Sequence, residues 1–180
     1  MANLFTSDLH FFHDNVVKYS KRPWTAEEQT EILIKMWNKQ VKKNDNVYHL
    51  GDFVFMRSVK NVDKLIELLK RLNGKKYFIK GNHCDDKVWK RIAEESGLVE
   101  WVKDYAKVII NGKKVIMCHY AFKVWDSSHY GSFNLFGHSH GNLEETTGKQ
   151  LDVGIDNSVK VLGEYRLFTW DDIVKYMAER

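Results

Sequence analysis

One proline and two cysteines occur in 180 residues, and no apolar run is long enough to span a bilayer. A transmembrane helix takes roughly 20 consecutive apolar residues, so no membrane-spanning segment is expected. Cys84 and Cys118 are too few for a disulfide framework, which points to a reduced, cytoplasmic protein. The opening stretch from Met1 to Asp8 has no basic segment running into an apolar one, so a secretory leader is not expected. Repeats, low-complexity tracts and Pro/Gly/Ser linkers are missing too, and residues 1–180 read as a single domain. An excess of one charge sign is also lacking. Lys and Arg number 28 against 24 Asp and Glu, a net charge of +4. The lysines are scattered, as on a solvated face; the alternative is long-range attraction of an anionic substrate. No basic run exceeds two residues, so tight binding of duplex nucleic acid is not expected.

What is present is a globular composition, 43% hydrophobic and 29% charged, in which strand-like and helix-like patterns alternate. Residues 3–7 form a short apolar strand ending on Asp8. Thr25 and Glu28 read as a capping box, because each side chain can satisfy a free backbone donor near the other. The helix it opens carries Ile32, Leu33, Met36, Trp37 and Val41 at helical spacing. Residues 47–50 read as a buried strand ending at Gly51-Asp52, and a helix over 58–72 is placed to end at Gly74. A strand over 76–80 stops at Gly81-Asn82-His83, and a shorter helix follows over 86–95. Strands over 101–110 and 113–118 flank Asn111-Gly112, a strong hairpin signal. Further strands are expected over 133–136 and 151–155, and Thr169 caps a last helix with Asp172 three residues on. The first half is thus β-α-β-α-β, which favours a parallel sheet, and the second half reads as mostly antiparallel strands. Together they predict a mixed α/β fold, a two-sheet sandwich flanked by helices.

Five of these ends stop at residues able to hold a metal: Asp8-Leu9-His10, Gly51-Asp52, Gly81-Asn82-His83, His119 and Gly137-His138-Ser139-His140. In α/β folds ligands gather at the C-terminal ends of strands. Asp8 and His10 are two apart, so in an extended segment both would point the same way, and His138 with His140 repeats that spacing. Glycine before Asp52, Asn82 and His138 allows a tight turn that a side chain would obstruct. Taken singly, each signal is also an ordinary turn or core histidine. Five in one order, each at the end of an element, are not accounted for that way.

This series resembles that of the calcineurin-like metallophosphoesterases, and it runs from residue 8 to residue 140. The resemblance implies a four-layer α/β/β/α arrangement with two metal ions between the sheet ends. It implies that Asp8, His10 and His140 hold one metal, that Asn82, His119 and His138 hold the other, and that Asp52 bridges them. His83 would stand beside the metals as general acid or stabiliser of the transition state. The implied activity is hydrolysis of phosphate esters, above all nucleotide-type phosphodiesters, by a metal-bridging hydroxide. A phosphomonoesterase, a phosphoprotein phosphatase and a non-catalytic metal-binding scaffold are the alternatives. Imidazole and carboxylate ligands together suit Mn, Fe, Zn or Ni better than Mg or Ca, with manganese expected first. A small, nucleotide-like phosphate ester is the expected partner.

Around the motifs, the stretch from His13 to Trp24 resembles the opening of a small bacterial and phage subgroup of this family. That makes His13, Asn15 and Arg22 candidates for lining the pocket, with a structured polar loop as the alternative. Arg57, five residues past Asp52, is a candidate phosphate clamp or else a surface residue before a helix. His49 reads as a hydrogen-bonded core histidine and His129 as an exposed loop residue. Cys84 and Cys118 read as bystanders beside ligand positions. Cys84 stands where the family commonly has an acidic residue, which raises the prospect of sensitivity to oxidation. Trp125 is core by pattern, the alternative being that it and Tyr120, just past His119, stack on a base.

Overall fold

The computed structural model describes residues 1–55, 62–144 and 146–180. The chain runs β1 (Asn3–Thr6), α1 (Asp14–Tyr19), α2 (Ala26–Gln40), β2 (Asn46–Leu50), α3 (Val62–Arg71), β3 (Lys75–Ile79), α4 (Asp86–Glu95) and β4 (Trp101–Lys103). It continues with β5 (Tyr105–Ile110), β6 (Lys113–Cys118), a 3-10 turn (Ser128–Tyr130), β7 (Phe133–Phe136), β8 (Gln150–Asp152), α5 (Ile155–Leu162), β9 (Phe168–Thr169) and α6 (Trp170–Ala178). Two sheets result, ordered β4-β3-β2-β1-β9 and β5-β6-β7-β8. In the first, β1 to β4 pair in parallel and β9 closes the edge antiparallel to β1.

The first sheet is apolar on both faces because its residues alternate between two cores. Leu4, Val47 and Phe78 pack outward against Leu33 and Trp37 of α2, Leu65 and Leu69 of α3, and Trp89 of α4. Their neighbours Phe5, Tyr48 and Ile79 point inward, onto Ala106, Val115, Met117, Leu135 and Leu151 of the second sheet. A period of two is what puts neighbours on opposite faces. Each large side chain buried this way contributes about 1.5–3 kcal/mol. Ile173 and Met177 of α6 join the inter-sheet core. Both capping boxes form: Thr25 with Glu28 opens α2, and Thr169 with Asp172 opens α6. No helix among the described residues is long and apolar enough to cross a membrane.

The structure departs from the sequence reading in the second half. Residues 101–110 are two strands, not one. The chain leaves the first sheet after β4, turns at Asp104, and opens the second sheet with β5. Only β5 and β6 are antiparallel there, joined at Asn111 and Gly112 with φ of 48° and 78°. β7 and β8 run parallel to β6, so the expectation of mostly antiparallel strands is corrected. Segments 119–132 and 137–149 are long enough for the crossovers that parallel pairing requires. The strand expected over 151–155 stops at Asp152, and Ile155 begins α5. The first four residues of the helix expected over 58–72, and Arg57, lie outside the described residues.

Candidate metal centre

Every strand of the central region delivers its side chains to one end of the sandwich. Asp8 and His10 follow β1, Asp52 follows β2, Asn82 and His83 follow β3, His119 follows β6, and His138 and His140 follow β7. The structure gathers them into two groups with ligand atoms close enough to share an ion: Asp8, His10 and His140, and Asp52, His119 and His138. Asp52 lies between them. Its Oδ2 is 3.7 Å from His10 Nε2 of one group and 3.3 Å from His119 Nε2 of the other. Asn82 joins the second group, with Oδ1 3.1 Å from His119 Nε2.

The spacing argument needs a correction. The segments carrying Asp8 with His10 and His138 with His140 are not extended. Asp8, His10, Asp52, His138 and His140 all take positive φ, between 48° and 68°. A non-glycine residue held in that region costs about 1–3 kcal/mol, and such strain collects at functional sites. Close approach explains the neighbouring glycines. Gly51 has φ of 100°, and a Cβ there would lie 2.1 Å from His119 Nδ1; a Cβ on Gly81 would lie 2.1 Å from Asp52 Oδ1.

The chemistry of the donors fits divalent cations. Asp8 Oδ1 and His10 Nε2 are buried and have no hydrogen-bond partner within the protein. His119 Nδ1 lies 2.8 Å from the Leu50 carbonyl, which can only accept, so Nδ1 carries the proton. Its Nε2 faces Asn82 Oδ1 and Asp52 Oδ2, two oxygens that accept. A proton or a divalent cation on Nε2 satisfies that set; against burial, the bond to Asp52 and the charge of Asp8 raise the His119 pKa. Burial pushes His10 down to about 3, against the pull of Asp52, so it is a neutral imidazole with a free lone pair. Burial pushes Asp8 up to about 7, although His140 and His119 pull the other way. Asp52 moves in the opposite direction. Burial alone would raise it, but the His119 hydrogen bond and charge, with the backbone bond from His83, hold it well below the carboxylate range.

A cleft of about 520 Å³ opens over the first group and reaches His138 of the second, lined by His10, His13, Phe55, His83 and His140 together with Val16 and Tyr19 of α1 and the following Ser20. His13 stacks on Phe55 with ring centroids 4.1 Å apart and lies 3.4 Å from His10. His83 Nε2 is 3.9 Å from Asp52 Oδ2, and its backbone N–H donates to Asp52 Oδ1. Asn15 is exposed on α1 and does not line this cleft.

Arg22 is also not a pocket residue. Its side chain is fully buried behind the centre and bound on all sides: to Asp156, to the carbonyls of Asp8 and Leu9, and to Gln29. Its partner Asp156 went unread in the sequence, as did Gln29. A signal for Asp156 exists, since Asp152-Val153-Gly154-Ile155-Asp156 is another strand ending among carboxylates. His49 is buried as expected but not hydrogen-bonded, both ring nitrogens lacking a partner; it packs edge-on against Phe53 at 5.0 Å. Cys84 packs against the core and burial pushes its thiol up to about 11, which leaves no thiolate to oxidise readily. Trp125 is buried with its indole N–H on the Ser132 carbonyl, so it is no stacking surface, whereas Tyr120 is half-exposed beside His138. His129 is exposed.

Known proteins resemble the chain over its whole length. It is 34% identical to an uncharacterized protein of Methanocaldococcus jannaschii, covering 94% of this chain and 87% of that one. It is 31% identical to the gene 66 protein of Mycobacterium phage D29, covering 87% and 89%. A protein of unknown function from Aquifex aeolicus has a similar fold, with a TM-score of 0.71 at 23% identity over 97% and 98% of the two chains. So has an archaeal phosphodiesterase, with a TM-score of 0.56 at 17% identity over 94% and 99%. Residues 1–154 match the calcineurin-like phosphoesterase superfamily domain, and the chain belongs to that superfamily.

Proposed function

We propose that the protein is a dinuclear metal-dependent phosphodiesterase acting on small, nucleotide-like substrates. One observation carries the reading: Asp52 Oδ2 lies within 3.7 Å of a ring nitrogen of each of two donor groups, and Asp8 Oδ1 and His10 Nε2 of the first are buried with no partner of their own. Asp8, His10 and His140 would hold one ion, Asn82, His119 and His138 the other, and Asp52 both. Manganese is the first choice, with iron, zinc and nickel as the other metals suited to such donors. When bound, the two ions supply a water of lowered pKa and take up charge on the phosphoryl oxygens.

The chain's own residues do the rest. The His119 Nδ1–H bond to Leu50 fixes that ring's tautomer and aims Nε2 into the centre. His83 lines the cleft beside Asp52 without joining either group, which suits a proton donor to the leaving oxygen. The stacked His13 and Phe55 form a flat wall next to it, a surface for the substrate's organic portion. The cleft's openness suits a diester, whose second ester group needs room. Two free cysteines fit the expected reducing cytoplasm.

The test is turnover of bis-p-nitrophenyl phosphate against p-nitrophenyl phosphate by protein reconstituted with Mn, Ni, Zn or Fe, followed by cyclic nucleotides. Metal-dependent diester turnover that disappears in Asp52→Ala and His140→Ala is expected. Faster monoester turnover would redirect the substrate to a phosphomonoester or phosphoprotein. Metal uptake without turnover of any ester would favour a scaffold.

A further inference from the structure

The two donor groups are not built alike. Behind Asp8, His10 and His140 stands a buried polar network that reaches all three, and nothing comparable backs His138 among the described residues. His140 Nδ1 lies 2.6 Å from Asp156 Oδ2 and 3.2 Å from Ser20 Oγ, while its Nε2 faces Asp8 Oδ1 at 3.9 Å. Asp156 is held in turn by Arg22, through Nε at 2.8 Å and Nη2 at 2.9 Å. The same guanidinium donates to the carbonyls of Asp8 and Leu9, at 2.7 and 2.9 Å, and to Gln29 Oε1 at 3.0 Å. Gln29 then donates to the carbonyl of His10 at 3.1 Å. Three successive carbonyls of the strained 8–10 segment are thereby tied to one network, which also grips His140 from the far side. Arg22, Gln29 and Asp156 are all buried.

We infer that Arg22, Gln29 and Asp156 form a brace that positions Asp8, His10 and His140 and sets the metal affinity of that one group. All three are positioning residues: none lines the cleft. A carboxylate on the far nitrogen of a ligating imidazole fixes the tautomer and orientation of the ring and raises its basicity. Arg22 adds a planar fork matched to a carboxylate, which a lysine cannot reproduce. The second group has weaker support. His119 leans on a neutral carbonyl, Asn82 is exposed, and His138 is exposed, its ring packed against His119 and Tyr120. Unequal sites follow, the braced one filling first.

The inference rests on the metal-centre reading, and the experiment separates the two. Metal-free full-length protein is titrated with Mn2+, free ion being followed by its electron paramagnetic resonance signal. Wild type should show a tight and a weaker step, with His138→Ala removing the weaker. Asp156→Asn should weaken the tight step about 10–100-fold, the usual effect of losing such a partner, and leave the weaker step in place. Arg22→Lys should act in the same direction. If Asp156→Asn leaves both steps unchanged, or weakens both equally, the brace is wrong while the metal centre stands. If wild type takes up no Mn2+, Zn2+ or Ni2+, both fail. A measurement on wild type alone guards against a variant that does not fold. In Zn2+-loaded protein, 15N-resolved histidine spectra should show His140 with its proton on Nδ1 and zinc on Nε2. Zinc on Nδ1 would overturn the brace outright.

Discussion

Arg22 and Asp156, 134 positions apart, form a two-pronged ion pair inside the protein, Nε to Oδ1 at 2.8 Å and Nη2 to Oδ2 at 2.9 Å. Breaking such a pair strands a buried charge. Arg22→Met should therefore lower the stability of the metal-free protein by about 3–5 kcal/mol, measured by urea unfolding. An exposed substrate-contacting arginine would cost well under 1 kcal/mol there, so a loss that small would put Arg22 back in the pocket.

His83→Ala separates metal holding from proton transfer. The variant should keep the wild-type metal content and lose about 10²–10⁴-fold in kcat on a diester with a poor leaving group. On a good leaving group such as p-nitrophenolate, which needs little help from an acid, the loss should be smaller. Equal rates of wild type and variant on the poor leaving group would remove His83 from the chemistry.

These two residues mark what could be read from the sequence and what could not. Asp8, Asp52, His83, His119, His138 and His140 sit in short motifs at strand ends, where spacing along the chain carries the signal. The Arg22–Asp156 pair has no such spacing, because it forms only once α5 is laid against the 8–10 segment. Residues 101–110 show the same limit for the fold. No glycine or proline breaks them at Lys103-Asp104, and only the pairing of Trp101 with Tyr77 and of Tyr105 with Cys118 reveals two sheets. The helices were legible where caps were local, as at Thr25 and Thr169.

Gly81→Ala tests the crowding around the shared carboxylate. A Cβ there would stand 2.1 Å from Asp52 Oδ1 and 2.5 Å from the Asp52 backbone nitrogen, so Asp52 must shift. The expected outcome is a stability loss of about 1–3 kcal/mol with weaker Mn2+ uptake at both sites. Weaker uptake at the second site alone would mean that Asp52 is not shared, and wild-type uptake at both that it holds no metal.

Acid sensitivity should trace in part to Asp172. Burial alone would raise its carboxyl, but bonds from Arg166 and Thr169 outweigh that and hold it at about 2, below the ordinary 3.8. The folded state then binds this proton less readily than the unfolded chain, so the stabilisation is fully present above about pH 4 and is lost as pH falls toward 2. Asp172→Asn should be less stable than wild type at pH 6, with the gap closing by pH 2. A gap that stays constant over that range would rule out the linkage.

The most direct test of the whole proposal is the metal stoichiometry of the reconstituted chain. Protein stripped with a chelator, loaded with Mn2+ and freed of excess ion should carry two ions per chain, falling in Asp52→Ala because both groups lose a shared donor. A wild-type chain that carries none, or an Asp52→Ala variant that still carries two, would contradict it.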